Sequence, residues 1–494
     1  MGDMRETDSI IQDGVATPGD GDAPEVIVES KVQMKRSMNL FHCTALLVSI
    51  TGHSAVFIAP STIIKYSGSV GMSLVAWMVG GLINLSLALC FTELGTMMPK
   101  AGGPYAFIYS TFGSLPGFLI LWGYIVLISG PFWAFQSKTA AVYIVKAIFP
   151  GCDVPEMEWG IKLFAAWIIV SLVTLNCVYM KYVTRVQTIL SSTKMLALLI
   201  IIAGGIAMVA KGNTEHFESP FADTTTDTGD LSLAIFFSLF GYGGWQVLMT
   251  LSEEVKNPGR VLPMSVFTAF FIVILKTVLV NIAYFTLISP EEMAASRAVG
   301  LLFVERLYPP LVPVISFLVG TITVGALNAG ILGHSRLLFA GSRVGHASVL
   351  FGMIHQKYLT PGPSIVMLAV WSLVMLFVGG FTTMMRYITL FSNTMSMSVV
   401  IALLYLRWVK PDEPRPFKVP LFVPVLQVFV VTFILALAVY QRPVEMGTAL
   451  FIMCLGVPAY LFFVTWTHKP RFIATFIEKF TIAVQKIFFV VKTS

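Results

Sequence analysis

The run Phe240-Gly241-Tyr242-Gly243-Gly244-Trp245 lies in the middle of an apolar stretch, 231–251, that is long enough to cross a membrane. A glycine in a helix interior costs about 1 kcal/mol relative to alanine, so three of them weaken this span at mid-depth. At about 100° per residue the glycines point in different directions, so close packing of one helix face does not explain all three. Unpaired backbone is tolerated in a membrane only where protein or a water-filled cavity surrounds it. We therefore predict a broken helix that lines a binding site, with a closely packed intact helix as the alternative.

The composition of the whole chain is that of a polytopic membrane protein. Hydrophobic residues make up 56% of the 494 positions and charged residues 12%, against about a quarter charged in soluble proteins. A membrane-spanning helix needs about 20 predominantly apolar residues. The apolar runs predict an all-α membrane protein with twelve transmembrane helices: 43–65, 73–97, 118–148, 161–178, 187–210, 231–251, 264–288, 311–340, 363–380, 386–407, 421–440 and 445–466.

Basic residues predict the orientation of these spans. Lys31, Lys35 and Arg36 precede the first span, and positive charge marks the cytoplasmic side of a membrane protein. We therefore expect both the N- and C-termini of this chain to be cytoplasmic, since twelve spans return the chain to the same side. The formal net charge of +6 is then juxtamembrane, and we expect the lipid bilayer as a partner and no nucleic acid.

Three regions are predicted along the chain. Residues 1–38 are polar and acidic, which is typical of a disordered cytoplasmic tail. Residues 39–467 form the domain that contains the twelve spans. Residues 468–494 form a second cytoplasmic tail, in which Phe, Ile and Val alternate with Lys at helical spacing. This pattern predicts a helix lying in the membrane interface, with a merely amphipathic tail as the alternative.

Cys152 differs from the other four cysteines, which fall within or at the edge of spans. It lies in the short loop after the third span, which the predicted orientation places outside. In an oxidising compartment an unpaired cysteine indicates either an intermolecular disulfide or a free thiol, and the residues alone leave both open.

Ionisable groups within spans are costly and are candidates for functional sites. Lys194 lies near the start of the fifth span. Its ammonium either reaches the cytoplasmic interface or lies beside the central site in the place of a cation. His53, near the middle of the first span, is either a hydrogen-bonded packing residue or a proton relay. Lys138 and Lys276 also fall within spans, and nothing beside them in the sequence singles them out.

A second weak point, Gly52–Phe57, interrupts the first span as 240–245 interrupts the sixth. Many secondary transporters consist of two five-span repeats of opposite topology, each beginning with a discontinuous helix. We therefore predict a 5+5 inverted repeat, about 43–210 and 231–407, with two additional helices in 421–466. In such a fold the half-helix N-termini attract an anionic group and freed carbonyls accept from a cationic one. A zwitterionic amino acid carries both groups.

Several short motifs follow one another in order along about residues 31–480. They are Val32-Gln33-Met34-Lys35-Arg36, Phe57-Ile58-Ala59-Pro60, Gly68-Ser69-Val70-Gly71, Glu93-Leu94-Gly95-Thr96, Gly102-Gly103-Pro104-Tyr105, Phe240–Trp245, Glu253-Glu254-Val255-Lys256-Asn257-Pro258, Ser342-Arg343 with Gly345-His346, and Arg415-Pro416-Phe417-Lys418-Val419-Pro420. Together they resemble one known family, the light-chain subunits of heteromeric amino-acid transporters. This is the L-type amino acid transporter family within the amino acid–polyamine–organocation superfamily.

The resemblance implies a sodium-independent amino-acid exchanger, an antiporter that works by alternating access in the plasma membrane. It implies that Cys152 joins a single-span type II glycoprotein heavy chain through a disulfide, giving a heterodimer. By the same resemblance Phe240 is the gate over the substrate, and Lys194 fills the cation position of sodium-coupled relatives. No cofactor and no metal are implied.

The chain departs from the family in the first span. The family has a Gly-Ser/Ala-Gly run there, whose amides hold the substrate carboxylate, whereas this chain has His53-Ser54-Ala55. We expect the backbone around Gly52–Ala55 to take the carboxylate and Phe240, Gly241, Tyr242 and Gly243 to take the ammonium group. Asn328 and Ser392 are expected near the substrate side chain.

The resemblance also suggests the net charge of the substrate. Family members that take anionic substrates tend to carry arginine in the site, whereas Ser129 and Ser392 are uncharged here. Gly243 offers no carboxylate to a cationic substrate. We therefore expect neutral, including aromatic, L-amino acids.

Function classes other than an exchanger are supported by fewer features of the sequence. The departure at His53 favours, as an alternative, a transport-deficient partner or sensor that binds amino acid and stabilises the heavy chain. An enzyme is disfavoured because neither H-E-x-x-H nor G-x-S-x-G occurs in the sequence. An ion channel is disfavoured because no filter loop or charged ring is visible.

Overall fold

The computed structural model describes residues 38–52, 55–98, 103–149, 158–178, 180–250, 252, 255–296, 298–358, 360–466 and 471–492. The predicted N-terminal tail therefore lies outside the described residues, except for Met38. The helices are α1 Leu40–Ile50, α2 Ala59–Ser67, α3 Val70–Met97, α4 Gly103–Phe112, α5 Ser114–Gly123, α6 Gly130–Ile148, α7 Glu158–Val178, α8 Met180–Ala210, α9 Thr228–Phe240, α10 Val247–Thr250, α11 Pro258–Phe285, α12 Pro290–Ala295, α13 Val299–Leu307, α14 Val312–Arg343, α15 Gly362–Val378, α16 Phe381–Val409, α17 Phe422–Gln441, α18 Pro443–Cys454, α19 Gly456–Tyr460 and α20 Arg471–Phe488.

The predicted membrane spans are present. Among the described residues, ten helical stretches are long and apolar enough to cross a membrane, and α9 and α15 are shorter apolar helices. Together they account for the twelve predicted spans. The helix α8 begins seven residues before the predicted start of its span at 187, because its first two turns are polar and lie outside the apolar run. Pro258 begins α11, where its missing N–H costs nothing.

Both predicted helix breaks are confirmed. The first span consists of α1, a short 3₁₀ turn at Ala55–Phe57 and α2. The sixth span consists of α9, the turn at 241–246 and α10. In each case the glycine-containing run interrupts the helix. The third span also departs from regular geometry, since π-helical backbone at Tyr124–Ser129 joins α5 to α6.

The packing of the helices repeats after an offset of five spans. Span 1 packs on span 7 (α1 with α11), and correspondingly span 6 packs on span 2 (α9 with α3). Span 5 packs on span 8 (α8 with α14), and correspondingly span 10 packs on span 3 (α16 with α6). This is the pattern that a 5+5 inverted repeat predicts, and it brings the two breaks into the middle of the bundle.

Two strands were not predicted from the sequence. Strand β1, Met353–His355, follows α14, and strand β2, Val490–Lys492, follows α20. They form a two-stranded antiparallel sheet in which Ile354 pairs with Val491. The C-terminal segment is helical as predicted over Arg471–Phe488, but its last described residues extend the loop after α14 as a strand rather than continuing the helix.

A buried carboxylate ties together the ends of α3 and α16. Glu93 is fully buried, and its Oε1 accepts from Nε of Arg407 at 2.9 Å. Its Oε2 accepts from Nη2 of Arg407 and from the amide of Val419 at 2.8 Å. Nε of Arg415 lies 3.7 Å from the same carboxylate. The loop between α16 and α17 is thus fixed against the end of the second span.

Candidate substrate site

The two helix breaks contact each other directly. The amide of Gly52 donates to the carbonyl of Gly243 at 3.1 Å. Gly52 has φ +70°, and a Cβ there would lie 2.9 Å from the carbonyl oxygen of Gly241. Glycine is needed at this position both for its left-handed conformation and for the close approach of the second break. Gly52, Gly241 and Gly243, all predicted site residues, are therefore brought together.

The turn after α9 leaves carbonyl groups free. The amides of Gly241, Tyr242 and Gly243 each donate to the residue three positions earlier, so the backbone tightens as α9 ends. Gly244 then reverses the chain with φ +104°. Among the described residues, no backbone amide donates to the carbonyls of Gly241 and Tyr242. These two oxygens are available to a hydrogen-bond donor beside the first break.

Lys194 reaches the carbonyl end of α1. Its Nζ donates to the carbonyl of Ser49 at 2.8 Å and to that of Thr51 at 3.0 Å. The residue is 2% exposed, so its ammonium points to the break and not to the membrane interface. A helix C-terminus carries negative partial charge and unpaired carbonyls, which suit a cation.

Lys276 is a feature that the sequence did not single out. It lies on α11, and its Nζ is 3.5 Å from the carbonyl of Val48. Two lysines from different spans therefore converge on the same turn of α1. No local signal reveals this, because Val48 and Lys276 are distant in the sequence.

An aromatic cluster covers the second break. Phe240 is 9% exposed, and its ring lies edge-on to that of Phe135 with centroids 5.4 Å apart. The ring of Phe135 lies in turn 4.4 Å from that of Phe381, at the start of α16. Phe240 is thus the aromatic residue of the run that lies between the break and the third span.

The other two aromatics of the run face α3. Tyr242 is fully buried and its hydroxyl donates to the carbonyl of Trp77 at 2.8 Å. Nε1 of Trp245 donates to Oδ1 of Asn84 at 3.0 Å. Inside a membrane such satisfied polar groups hold helices in register. The side chain of Tyr242 therefore anchors the break to the second span. The group of Tyr242 that is left for the predicted contact with substrate is its backbone carbonyl.

The remaining predicted site residues are less central. Ala55 begins the 3₁₀ turn after the first break and is 2% exposed. Oδ1 of Asn328 accepts from the side-chain Nδ2 of Asn176 on α7 at 2.8 Å, so this oxygen is used in a contact between two spans. Ser392 is partly exposed on α16. Three predicted residues, His53, Ser54 and Cys152, lie outside the described residues.

A metal site was sought among the His, Cys, Asp and Glu side chains of the described part of the chain. No group of three or more His, Cys, Asp or Glu side chains there lies close enough to hold a metal ion.

Comparison with known proteins identifies the family. A family model described as amino acid permease matches residues 38–489. The chain belongs to the amino acid permease family. This permease is 36% identical to the cystine/glutamate transporter of Homo sapiens, over 94% of its own length and 92% of the relative. It is 36% identical to the large neutral amino acids transporter small subunit 2 of Homo sapiens, over 93% and 86% of the two chains. It is 32% identical to the Asc-type amino acid transporter 1 of Mus musculus, over 93% and 87%.

Family membership agrees with the geometry. The light chains of heteromeric amino-acid transporters are the relatives of this permease, which confirms the resemblance predicted from the motifs. The multi-span helical fold and the two breaks are those of a membrane transporter, and the chain is an amino-acid antiporter by family.

Proposed function

We propose that this permease exchanges neutral L-amino acids, including aromatic ones, without sodium, as the light chain of a disulfide-linked heterodimer at the plasma membrane. The observation that carries the proposal is the Lys194 ammonium on the carbonyls of Ser49 and Thr51. It occupies the carbonyl end of a broken helix, where sodium-coupled transporters of this architecture coordinate their ion. With a covalently fixed cation there, the binding site needs no sodium.

The two breaks supply complementary partners for a zwitterion. The carbonyls of Gly241 and Tyr242 can accept from a substrate ammonium group. The backbone that leads from Gly52 to Ala55 and into α2 presents the N-terminal end of a half-helix to a carboxylate. The hydroxyl of Thr51 is buried and has no hydrogen-bond partner among the described residues. A ligand or water in the break would satisfy it, since buried polar groups are almost always paired.

Neutral substrates fit the charges around the site. Ser129 is buried with its hydroxyl on the carbonyl of Tyr124 at 2.9 Å, and Ser392 is uncharged. Arg386, also on α16, is 7% exposed and forms an ion pair with Glu445, so its charge is already balanced. The relatives named for cystine/glutamate and for large neutral amino acids are equally similar to this chain. We therefore infer the charge of the substrate from the charges of the residues around the site.

Phe240 is the proposed gate of an alternating-access cycle. In the described conformation its ring packs on Phe135, and Phe135 on Phe381, so one side of the break is closed by three aromatic rings. These contacts join the sixth, third and tenth spans. Opening this side separates the rings, and substrate bound in the break lets them close again.

The proposed heavy chain is bound through Cys152, in the loop between α6 and α7. One relative is named as a small subunit, which supports a two-chain assembly. The cytoplasmic position of both tails follows from the basic residues before the first span. Replacing Cys152 by serine removes the proposed disulfide: the heavy chain should then migrate separately on a non-reducing gel, and unchanged co-migration would reject the assignment.

Exchange itself is tested with proteoliposomes loaded with labelled leucine or phenylalanine. Efflux should rise several-fold when unlabelled amino acid is added outside and should not change when choline replaces sodium. Equal efflux with and without outside amino acid would overturn the exchanger and favour a binding partner or sensor. A screen of all twenty amino acids then defines the substrates, and preferential exchange of glutamate would overturn the neutral assignment.

A further inference from the structure

We propose that a cavity between the end of α16 and the start of α17 binds the phosphate headgroup of an anionic phospholipid from the cytoplasmic leaflet. This goes beyond amino-acid exchange, because it assigns a lipid site on the outside of the helix bundle. The proposal does not need the exchange function. It takes from the proposed function only the orientation of the chain, in which the loop between α16 and α17 is cytoplasmic.

The cavity lies where the tenth span ends and the eleventh begins. Its volume is about 440 Å³, and it is lined by Arg407, Lys418, Val419, Pro420 and Leu421. This volume lies within the range of sites that hold small ligands. The charged residues of the lining are both cations, so the cavity suits an anion.

Arg407 presents donors that the protein itself does not use. Its side chain is only 10% exposed. Its Nε and Nη2 donate to the carboxylate of Glu93, and Nη2 also donates to the carbonyl of Val419. Among the described residues no acceptor bonds to Nη1, so its two N–H groups are left for a ligand. Because Glu93 already holds the guanidinium in place, little side-chain freedom is lost when an anion binds.

Positive charge is left over beside the cavity. The single carboxylate of Glu93 is shared by two guanidinium groups, since Nε of Arg415 lies 3.7 Å from it and Arg407 is bonded to it. Lys418 is exposed and forms no ion pair among the described residues. The two acidic residues of the loop itself do not line the cavity. An anion bound between Arg407 and Lys418 would balance this charge.

The start of α17 adds backbone donors at the same place. Leu421, which lines the cavity, directly precedes the 20-residue helix that begins at Phe422. Among the described residues, no backbone carbonyl accepts from the amides of Leu421 and Phe422. A helix N-terminus carries positive partial charge and is a common site for phosphate groups. The cavity therefore offers a guanidinium, an ammonium and a helix N-terminus to one anion.

The surroundings favour a lipid over a free anion. Below the cavity, one face of α17 carries an exposed apolar stripe of four residues, each between 56% and 72% exposed: Phe422, Leu426, Phe429 and Phe433. Trp408, at the end of α16, is 80% exposed, and tryptophan is enriched where a membrane meets water. Basic pockets between spans on the cytoplasmic side bind the headgroups of anionic lipids. A lipid would contact both the cavity and the stripe, whereas a free anion would contact only the cavity.

The experiment measures the Tm of the purified protein, with its heavy chain, in a neutral detergent while a ligand is added. A ligand that binds the folded state raises Tm, so the titration gives an apparent affinity. The ligands are dioctanoyl phosphatidylserine, dioctanoyl phosphatidylcholine and inorganic phosphate. We expect phosphatidylserine to bind at least about 5-fold more tightly than phosphatidylcholine, and inorganic phosphate to leave Tm unchanged at the same concentrations.

Two matched lysine variants locate the site. Lys418→Gln should remove the preference for phosphatidylserine. Lys410→Gln removes the same charge from the same loop, but Lys410 does not line the cavity and is paired with Glu413 at 3.6 Å. This control should keep the preference within about 2-fold, since exposed charges outside the site are screened by salt.

Three results would overturn the proposal. Equal affinities for phosphatidylserine and phosphatidylcholine would show that the headgroup charge is not recognised. An equal loss of preference in both lysine variants would show a diffuse attraction to the loop rather than a site. A rise in Tm with inorganic phosphate as large as that with phosphatidylserine would make the occupant a free anion.

The leaflet is tested separately from the exchange function. Lys418→Cys, made in a Cys152→Ser chain, is treated in intact cells with a maleimide that does not cross membranes. We expect labelling above that of the Cys152→Ser parent only after the cells are permeabilised. Labelling of intact cells would overturn the assignment to the cytoplasmic leaflet, whatever the proteoliposome assay shows about exchange.

Discussion

Gly241 lies against the ring of Trp77, so closely that an added Cβ would be 2.2 Å from Cζ3 of the indole. For Gly243, two residues later in the same break, the carbonyl oxygen of Phe240 is the one described atom within 4 Å of such a Cβ, at 3.5 Å. The two glycines therefore serve different purposes. Gly241 permits the sixth span to approach the second, and Gly243 shapes the turn and accepts from Gly52.

This difference predicts opposite results for two matched substitutions. Gly241→Ala should destabilise the protein by about 1–3 kcal/mol, because the added methyl overpacks the contact with Trp77. Gly243→Ala should change the stability by less than about 1 kcal/mol. Thermal unfolding of the two purified variants, followed by size-exclusion fluorescence, checks this. Equal losses of stability in both variants would contradict the assignment of Gly241 to close packing.

From the aromatic cluster we predict the effect of removing Phe240, the proposed gate. Phe240→Ala should reduce the apparent affinity for substrate about 2- to 10-fold, because an edge-on ring pair contributes roughly 0.5–1.5 kcal/mol. Phe135→Ala removes the partner ring and should act in the same direction, whereas Phe240→Tyr should retain most activity. Concentration-dependent exchange in proteoliposomes gives the three values. If Phe135→Ala left the affinity unchanged while Phe240→Ala lowered it, the ring of Phe240 would act without this contact.

The buried carboxylate predicts a large loss on neutralisation. Glu93→Gln leaves Arg407 without its counter-charge and should destabilise the protein by about 3–5 kcal/mol. The control is Glu413→Gln, which breaks the exposed pair with Lys410 (3.6 Å) at the same end of α16 and should cost at most about 1 kcal/mol. Surface expression and Tm are the measurements. Comparable Tm values for both variants would show that the Glu93 network contributes little.

From the surroundings of the His346 imidazole we predict that the protein becomes less stable as the pH falls. It lies after α14, hydrogen-bonded through Nδ1 to the hydroxyl of Tyr105 (2.9 Å) and through Nε2 to that of Ser114 (2.8 Å). Burial lowers the pKa of His346 below its ordinary value. The unfolded chain therefore takes up this proton first as pH falls below about 6.5, and the folded state loses stability.

Two histidine variants test whether His346 causes this loss of stability at lower pH. Between about pH 7.5 and pH 5.5 the Tm of the wild type should fall more than that of His346→Gln. His42→Gln, at an exposed position in α1, should behave as the wild type. A fall in Tm that is the same in all three proteins would assign the acid sensitivity to other groups.

The positions of the breaks were predictable because they depend on local backbone properties. Glycines at Gly52 and within 241–244 weaken a helix wherever it lies, so the sequence alone located both interruptions. The pairing of the two breaks followed from their spacing, since it matches a five-span repeat. The helix in the C-terminal segment followed from its periodicity in the same way.

Other features depend on contacts between distant residues, which no local pattern contains. Tyr242 was expected near the substrate because it lies in the glycine run, but nothing in the sequence shows that its hydroxyl donates to the carbonyl of Trp77. Lys276 gave no signal because the carbonyl that it approaches, that of Val48, lies on α1. The strand β2 was missed because three residues form a strand only when a partner such as β1 is present.

The ion pair between Glu93 and Arg407 has a consequence for the biogenesis of the protein. The second span enters the membrane long before the tenth has been synthesised, so its carboxylate must wait for its counter-ion through eight insertion steps. A chain that ends before Arg407 and Val419 lacks the groups that bind this carboxylate in the complete fold. The end of the second span is therefore completed only by residues that are synthesised more than 300 positions later.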